Sequence, residues 1–506
     1  MANTLEALVA SHDANAPAIG APGRDWMNYG ALRGQAQAVR GSLRQFGIGA
    51  NDRVAIVLPN GPEMAVAFVT IAQSAVTAPL NPVYQEDEFA FYLEDLGAKA
   101  IVVMDGHEGP AVAASRRLGL LTIRLKPNVT SAAGTFSLVG PPDVAGDDVP
   151  GADDVALILH TSGTTSRPKI VPLLQSNVAS SACHIRDSLA LSASDRCLNV
   201  MPLFHIHGLV ASISASLSAG ASVWCAPGFD ALKFFSWMSE ARPTWFTAVP
   251  TMHQAILSRA DRNSEIVQAN PLRFIRSSSA SLPPQVFSAL TKAFKSPVLE
   301  SYGMTEAAHQ MASNPLPPRE QKPGAVGIEA GPLVRIADER ENRLVRGIGE
   351  VVISGPNVTP GYESNPEANA TGFFEFEGRR WFRTGDQGAF DDDGYLKLTG
   401  RLKEIINRGG EKISPLEVDE LLMDHPAVQQ CVAFACPHPK LGEEVAAAIV
   451  LRDGISASES EIREFAAERV ADFKVPRKIV ILDEIPKGVT GKMQRIGMAK
   501  KLGLTK

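Results

Sequence analysis

The sequence predicts an α/β protein. A large N-terminal domain of doubly wound mixed sheets carries a small β subdomain, and a small α+β C-terminal domain follows. Three observations predict this. Ahead of Gly324, short apolar runs alternate with segments of helical periodicity, the pattern of a largely parallel sheet with crossover helices. From about Gly324 the helical periods stop and short strands punctuated by glycine take over, as in a small antiparallel subdomain. Beyond Lys403 helices and strands resume. At 506 residues the chain is too long for one core. The predicted boundaries are 1–402, with the β subdomain at 324–400, and 403–506.

Taken in order, residues 29–46 carry Leu32, Ala36, Val39, Leu43 and Phe46 on one helical face. Arg53-Val54-Ala55-Ile56-Val57-Leu58 reads as a strand ending at Pro59-Asn60-Gly61. Residues 63–76 read as a buried helix, 99–104 as a strand, and 131–154, rich in Gly, Pro and Asp, as a loop. That loop leads into the apolar strand Val155-Ala156-Leu157-Ile158-Leu159, and residues 176–191 read as a helix. In the subdomain, 334–336, Gly349–Ser354, 378–383 and 394–398 read as strands. In the C-terminal part, Pro415–Met423 and 459–470 read as helices, and 428–435, 445–451 and 479–482 as strands.

The composition, 45% hydrophobic and 21% charged, is that of a soluble globular protein. A net charge of −6 gives no electrostatic reason to expect nucleic acid or an anionic membrane as partner. Five scattered cysteines form no C-x-x-C pair, so neither a disulfide framework nor a zinc site is indicated. Cys431 and Cys436, near His438, read as buried thiols. The start, MANTLEALVASHDA, has no leader pattern, no apolar run reaches spanning length, and the final LTK is not S-K-L. A reducing cytoplasm is the expected compartment.

Chemistry concentrates in a few stretches. His160–Ile170, HTSGTTSRPKI, puts hydroxyls, a glycine and two cations on one loop after a buried strand. Such a loop suits a polyphosphate, although a polar surface loop would look similar. It lacks the second Gly and the terminal Lys-Ser/Thr of a Walker loop. In Met201–Gly208 two histidines stand at i and i+2: ligands lacking a third, or a hydrogen-bonded pair at a helix start. Arg273–Leu282 runs from a strand into Ser277-Ser278-Ser279-Ala280-Ser281, small residues that let a flat purine approach the backbone. Asp386 follows Gly385 at a strand end, where a carboxylate can accept from two ribose hydroxyls. Lys492, after Thr490-Gly491, is a long cation on a loop.

These stretches, with YGMTE, RTGD, GRLKEII and PKGVTGK, resemble the motifs of the adenylate-forming enzymes: acyl- and aryl-CoA synthetases, peptide-synthetase adenylation domains and firefly luciferase. The resemblance covers most of the chain. The chain departs from the family at Ser166 and Ile170, where glycine is usual, and at Ser278-Ser279-Ala280-Ser281-Leu282, where Gly-Gly-Ala-Pro-Leu is usual. The resemblance implies ATP and CoA as co-substrates and Mg²⁺ as the metal. It implies phosphate contacts from Thr161, Ser162, Gly163, Thr164, Thr165, Arg167 and Lys169. ATP contacts from Ser279, Ala280, Glu300, Tyr302 and Gly303 follow, with Tyr302 stacking on adenine and Asp386 and Arg401 at the ribose. Thr305 is implied at a phosphate, Glu306 at the metal, and Lys492 as the catalytic lysine. His207, Ser279, Ser281 and His309 are implied for the acid pocket, with Asn314 close by. Lys403 is implied as the hinge of the C-terminal domain, which the resemblance implies is mobile, and Gly409 and Gly410 in the thiol tunnel.

Within the superfamily, HTSGTTSRPK, PLFHIHGL, SASLPP, GMTEAAHQMASNPLPP and NRGGEKISPLEVD are most similar to plant and fungal oxalyl-CoA synthetases. That implies oxalate, CoA and ATP going to oxalyl-CoA, AMP and pyrophosphate; malonate or another short-chain or aryl acid is the alternative. The implied partners are a small carboxylic acid, ATP and CoA, with no nucleic acid and no integral membrane segment. A phosphotransferase built on the same loop would release ADP instead.

Overall fold

The computed structural model describes residues 2–143, 148–161, 168–486 and 493–505. Its β-branched and apolar runs become the centres of two large sheets. One has seven strands, in the order Phe136–Val139, Leu121–Pro127, Ala100–Met104, Arg53–Val57, Val76–Pro79, Val155–Thr161, Lys169–Leu174. Its middle is parallel and both edges are antiparallel. The central strands bury both faces, which is why they read as continuous apolar runs rather than alternating ones.

The second sheet has nine strands. Its parallel core runs Val298–Met304, Phe274–Ser277, Trp245–Ala248, Arg196–Asn199, Ser222–Cys225, Pro17–Ala21, with antiparallel strands beyond each end. The small polar residues of the site, Thr247, Ser277 and Ser278, lie at or just past the carboxyl ends of these parallel strands, and Glu300 stands where the parallel pairing of Val298–Met304 ends. In open parallel sheets that is where ligands bind.

Helix Tyr29–Gln45 matches the expected periodicity. It is capped by Asn28, whose side chain accepts from the Ala31 N–H at 2.7 Å, and it buries Leu32, Ala36, Val39 and Leu43. Two expectations need correction. The run 63–76 is not one helix: the helix is Pro62–Ile71, and Val76–Pro79 is a strand of the seven-stranded sheet. The N–H groups of Ser74 and Ala75 both reach Ile71 O at 2.8 Å and close the last turn, after which Val76 N pairs with Asp52 O. An apolar run carries no period that separates buried helix from buried strand. The segment 131–154 is not all loop either. Phe136–Val139 alternates buried and exposed residues and adds an edge strand to Leu121–Pro127.

A five-stranded antiparallel sheet follows, holding Leu333–Ala337, Gly349–Ser354, Phe373–Phe376, Arg379–Phe390 and Leu396–Arg401. A second five-stranded sheet holds Ile406–Arg408, Glu411–Ile413, Val428–His438, Gly442–Leu451 and Lys478–Ile481, backed by helices Pro415–Met423 and Glu459–Ala467. Polar contacts join this last unit to the rest. Lys412 pairs with Glu339 at 2.6 Å, the Gln285 amide donates to Asp424 at 2.5 Å, and the Ser414 hydroxyl donates to Thr399 O. The five cysteines are free and buried. Among the described residues no helix is long and apolar enough to cross a membrane.

On the strand that carries Thr247, Phe246 is fully buried and packs edge-on against Phe234, ring centroids 5.1 Å apart. Phe246→Ala is expected to cost about 3–5 kcal/mol and to lower the urea midpoint of the N-terminal unit, followed by tryptophan fluorescence.

Candidate active site

Three polar clusters and one isolated carboxyl meet where the strand ends of the nine-stranded sheet face the antiparallel subdomain. The first cluster is organised by register. Asp386 and Arg401 stand opposite each other on antiparallel strands, and Arg401 Nε lies 3.2 Å from Asp386 Oδ1. The Tyr302 hydroxyl donates to the other carboxylate oxygen, and the Asp386 N–H donates to Thr384 Oγ1 at 3.1 Å. Gly385, at φ +73, makes the turn of chain that aims Asp386 inward. The Asp386 charge is the main influence raising Arg401 above its ordinary range, while burial, with Asp386 second, raises Tyr302. The arrangement is an anchored carboxylate beside a half-exposed guanidinium, suited to a vicinal diol.

The second cluster is Glu306, Tyr362 and Lys169. Glu306 is buried in the short helix Thr305–Ala307, and its Oε1 accepts from the Tyr362 hydroxyl at 2.9 Å. Burial raises the carboxyl; Tyr362, Arg401 and Lys169 act against it. Lys169 Nζ lies 4.2 Å over the Tyr362 ring and is held below its ordinary range by burial, with Glu306 opposing. Thr161 and Lys169 pair across the antiparallel strands that flank 162–167. Ser162, Gly163, Thr164, Thr165 and Arg167 lie outside the described residues. A buried carboxylate with one oxygen engaged and cations nearby fits a hard divalent ion. Among the described residues no group of three side-chain ligands surrounds it. Mg²⁺ held by Glu306 would therefore take its remaining oxygens from phosphate and water.

The third cluster surrounds His207, fully buried at the start of the π-helix His207–Ser214. Gly208 lets that turn close on the chain: a Cβ there would stand 2.4 Å from Pro202 O. His207 Nδ1 is 3.0 Å from Ser279 Oγ, and Nε2 is 2.6 Å from Thr247 Oγ1. Its ring centroid lies 5.0 Å from that of His309, also buried. Behind both imidazoles lies Arg276. His205 Nδ1 accepts from the His207 N–H at 3.3 Å. Gly303 is needed because a Cβ there would stand 2.1 Å from His309 O. Ser281 and Ala280 are exposed beyond this cluster, and Asn314 is buried with its side-chain amide donating to Ala325 O at 2.6 Å.

Glu300 stands apart. It is buried, Oε1 accepts from the Leu282 N–H at 2.8 Å, and Oε2 has no partner among the described residues. Burial pushes its carboxyl up to about 8.

From the C-terminal unit, Gly409 and Gly410 form the turn between Ile406–Arg408 and Glu411–Ile413, both with positive φ. Lys403 lies two residues past Arg401, near enough to Lys169 for their charges to interact. Lys492 lies outside the described residues. Arg495, three residues on, sits 3.5 Å from Glu404 and pairs with Asp419. Sequence reasoning missed Tyr362, Thr247 and Arg276. Only Arg276 carried a signal, a cation inside the apolar strand Phe274–Ser277.

Residues 6–363 match the AMP-binding enzyme family, and residues 417–492 match the AMP-binding enzyme C-terminal domain. The chain is 47% identical to an oxalate–CoA ligase of Arabidopsis thaliana, covering 89% of this chain and 88% of that protein. It is 42% identical to an oxalate–CoA ligase of Saccharomyces cerevisiae, covering 88% and 86%. Its fold matches the crystal structure of ATP-bound MatB from Rhodopseudomonas palustris with a TM-score of 0.87, at 29% identity, covering 100% of this chain and 98% of that one.

The folded protein keeps a proton on Glu300 up to about pH 8, whereas the unfolded chain releases it near about pH 4.3. The stabilisation is complete at low pH and is lost as pH rises through this window. Glu300→Gln keeps an acceptor for Leu282 and does not titrate. Its melting temperature relative to wild type is expected to rise from about pH 5 to about pH 8. A constant difference across a scanning-calorimetry series would contradict the assignment.

Proposed function

The chain belongs to the AMP-binding enzyme family and is an AMP-forming acid–CoA ligase; we propose that its acid is oxalate, taken with ATP and CoA to oxalyl-CoA, AMP and pyrophosphate. The identity of 47% to an oxalate–CoA ligase over most of both chains carries this reading. The acid pocket supports it: imidazole and hydroxyl groups with a guanidinium behind them suit a second carboxylate better than an alkyl chain.

A carboxylate is a poor electrophile, and a thiol does not attack it at neutral pH. In the proposed first step a carboxylate oxygen attacks the α-phosphorus of ATP and the bond to the β-phosphate breaks, releasing pyrophosphate. Both reactants are anionic, so the barrier is largely electrostatic. Lys169, Arg167 and the hydroxyls of Thr161, Ser162, Thr164 and Thr165 hold the outer phosphates, with Gly163 among them. Thr305 donates to a phosphate oxygen. Glu306 would hold Mg²⁺, which when bound would supply neutralising charge to the phosphates. Tyr302 stacks on adenine, against the small backbone of Ser279, Ala280 and Gly303, and Glu300 offers its free oxygen to the adenine amine. Asp386 and Arg401 take the ribose. Lys492 bridges the attacking carboxylate and the α-phosphate.

In the proposed second step the CoA thiolate attacks the acyl carbon and AMP leaves. Residues 403–506 swing as a unit about Lys403, withdrawing Lys492 and bringing the Gly409-Gly410 turn to the thiol path. His207, Ser279, Ser281 and His309 hold the second carboxylate. Five buried free cysteines suit a reducing compartment, and the cytoplasm is the one we propose.

A pyrophosphate-release screen over oxalate, malonate, acetate, octanoate and coumarate, with and without CoA, tests the reading. Oxalate is expected to give the highest kcat/KM, and ADP as the only adenine product would end it. Lys492→Ala is expected to abolish adenylate formation while largely sparing thioester formation from supplied oxalyl-adenylate; equal loss of both would remove the lysine from the first step. His207→Ala is expected to raise KM for oxalate about tenfold or more with KM for ATP little changed.

A further inference from the structure

Arg276 is fully buried in the middle of a strand, and no carboxylate pairs with it among the described residues. Its Nε has no partner among the described residues. Burial lowers the guanidinium to about 9. A fold does not keep an unpaired buried cation without cost.

A guanidinium can only donate, and this fixes the direction of every bond around it. Nη2 lies 3.2 Å from Gln310 Oε1 and 3.5 Å from His309 Nδ1. The Gln310 amide nitrogen is engaged elsewhere, with Ser188 Oγ and Ala330 O, so its oxygen faces Arg276. Nη1 lies 3.4 Å from both Thr247 Oγ1 and His207 Nε2. Thr247 therefore accepts from Arg276 and donates its own hydrogen to His207 Nε2, 2.6 Å away. With Nε2 an acceptor, the imidazole proton sits on Nδ1 and donates to Ser279 Oγ at 3.0 Å.

The hydroxyl hydrogen of Ser279 is then left for a ligand. Ser279 is half-buried at the rim and adopts φ +76, a conformation glycine takes without strain. A serine kept at a strained position points to a use for its hydroxyl.

We propose that Arg276 is a positioning residue that orients a one-way donor chain through Thr247 and His207 to Ser279, whose hydroxyl proton selects an acid bearing a second carboxylate over a monocarboxylate. The inference rests on the acid–CoA ligase reading and adds to it a residue that touches no reacting atom. Three readouts of Arg276→Met and Ser279→Gly test it. Both are expected to raise KM for oxalate at least about tenfold, and Arg276→Met is expected to leave KM for ATP and kcat/KM for acetate within a factor of about two. Neither is expected to lower the melting temperature, since one removes an unpaired charge and the other a strained φ. In ¹⁵N-histidine spectra the His207 proton is expected to leave Nδ1 in Arg276→Met and to stay there in Ser279→Gly. Unchanged KM for oxalate, equal loss for every acid, or an unchanged His207 tautomer in Arg276→Met would overturn the proposal. A wild-type protein that releases no pyrophosphate with oxalate would end the oxalate reading instead, and the tautomer, which needs no acid, would still decide the chain from Arg276.

Discussion

Ionisable side chains held out of water are the constraint around which this protein is arranged. Arg276, Glu300, Glu306 and Asp386 are all buried where the strand ends of one sheet face the antiparallel subdomain. Their neighbours compensate them to different degrees. Asp386 has a tyrosine and an arginine, Glu306 a tyrosine and a nearby lysine, Glu300 one backbone amide, and Arg276 two imidazoles, a hydroxyl and an amide oxygen. Buried polar groups so incompletely met are a standing demand for a ligand with matching charge. A nucleotide triphosphate with its cation and a small dianionic acid would meet it in parts: diol and amine, phosphate and metal, second carboxylate.

The sheets make that concentration of charge tolerable. Their central strands are buried on both faces, and the aromatic cluster around Phe234, Phe246 and Phe294 packs behind the strand carrying Thr247. The small polar residues of the site gather toward the strand ends, where the chain can turn. The core thus holds the site rigid, and the site takes the strain, as at Ser279 and His309, both with positive φ.

The C-terminal unit is joined by different physics. Its links to the rest, Lys412 with Glu339 and Gln285 with Asp424, are polar and solvent-facing. Exposed contacts of this kind contribute little each. That weakness suits a unit proposed to leave and return once per turnover, since a large apolar interface would hold it in one place. The cluster of Arg495 with Glu404 and Asp419 lies inside that unit and would travel with it.

The sequence by itself determined the α/β class, the texture change near Gly324 and the chemistry of the motif loops. Those signals are local: a strand's apolar run, a helix's period, a glycine beside an aspartate. It determined Asp386 and Arg401 as separate motif residues, and only strand register set them opposite each other. The helix–strand break after Ile71 escaped it because a segment buried on all sides shows no period. Tyr362, Thr247 and Arg276 escaped as well. Tyr362 stands 56 residues from Glu306, and Thr247 stands 40 from His207. Their meaning lies in which oxygen or ring nitrogen each meets across the sheets. A side chain's type is written in the chain, but its partner, and so the direction of its proton, is decided only when distant strands are laid side by side.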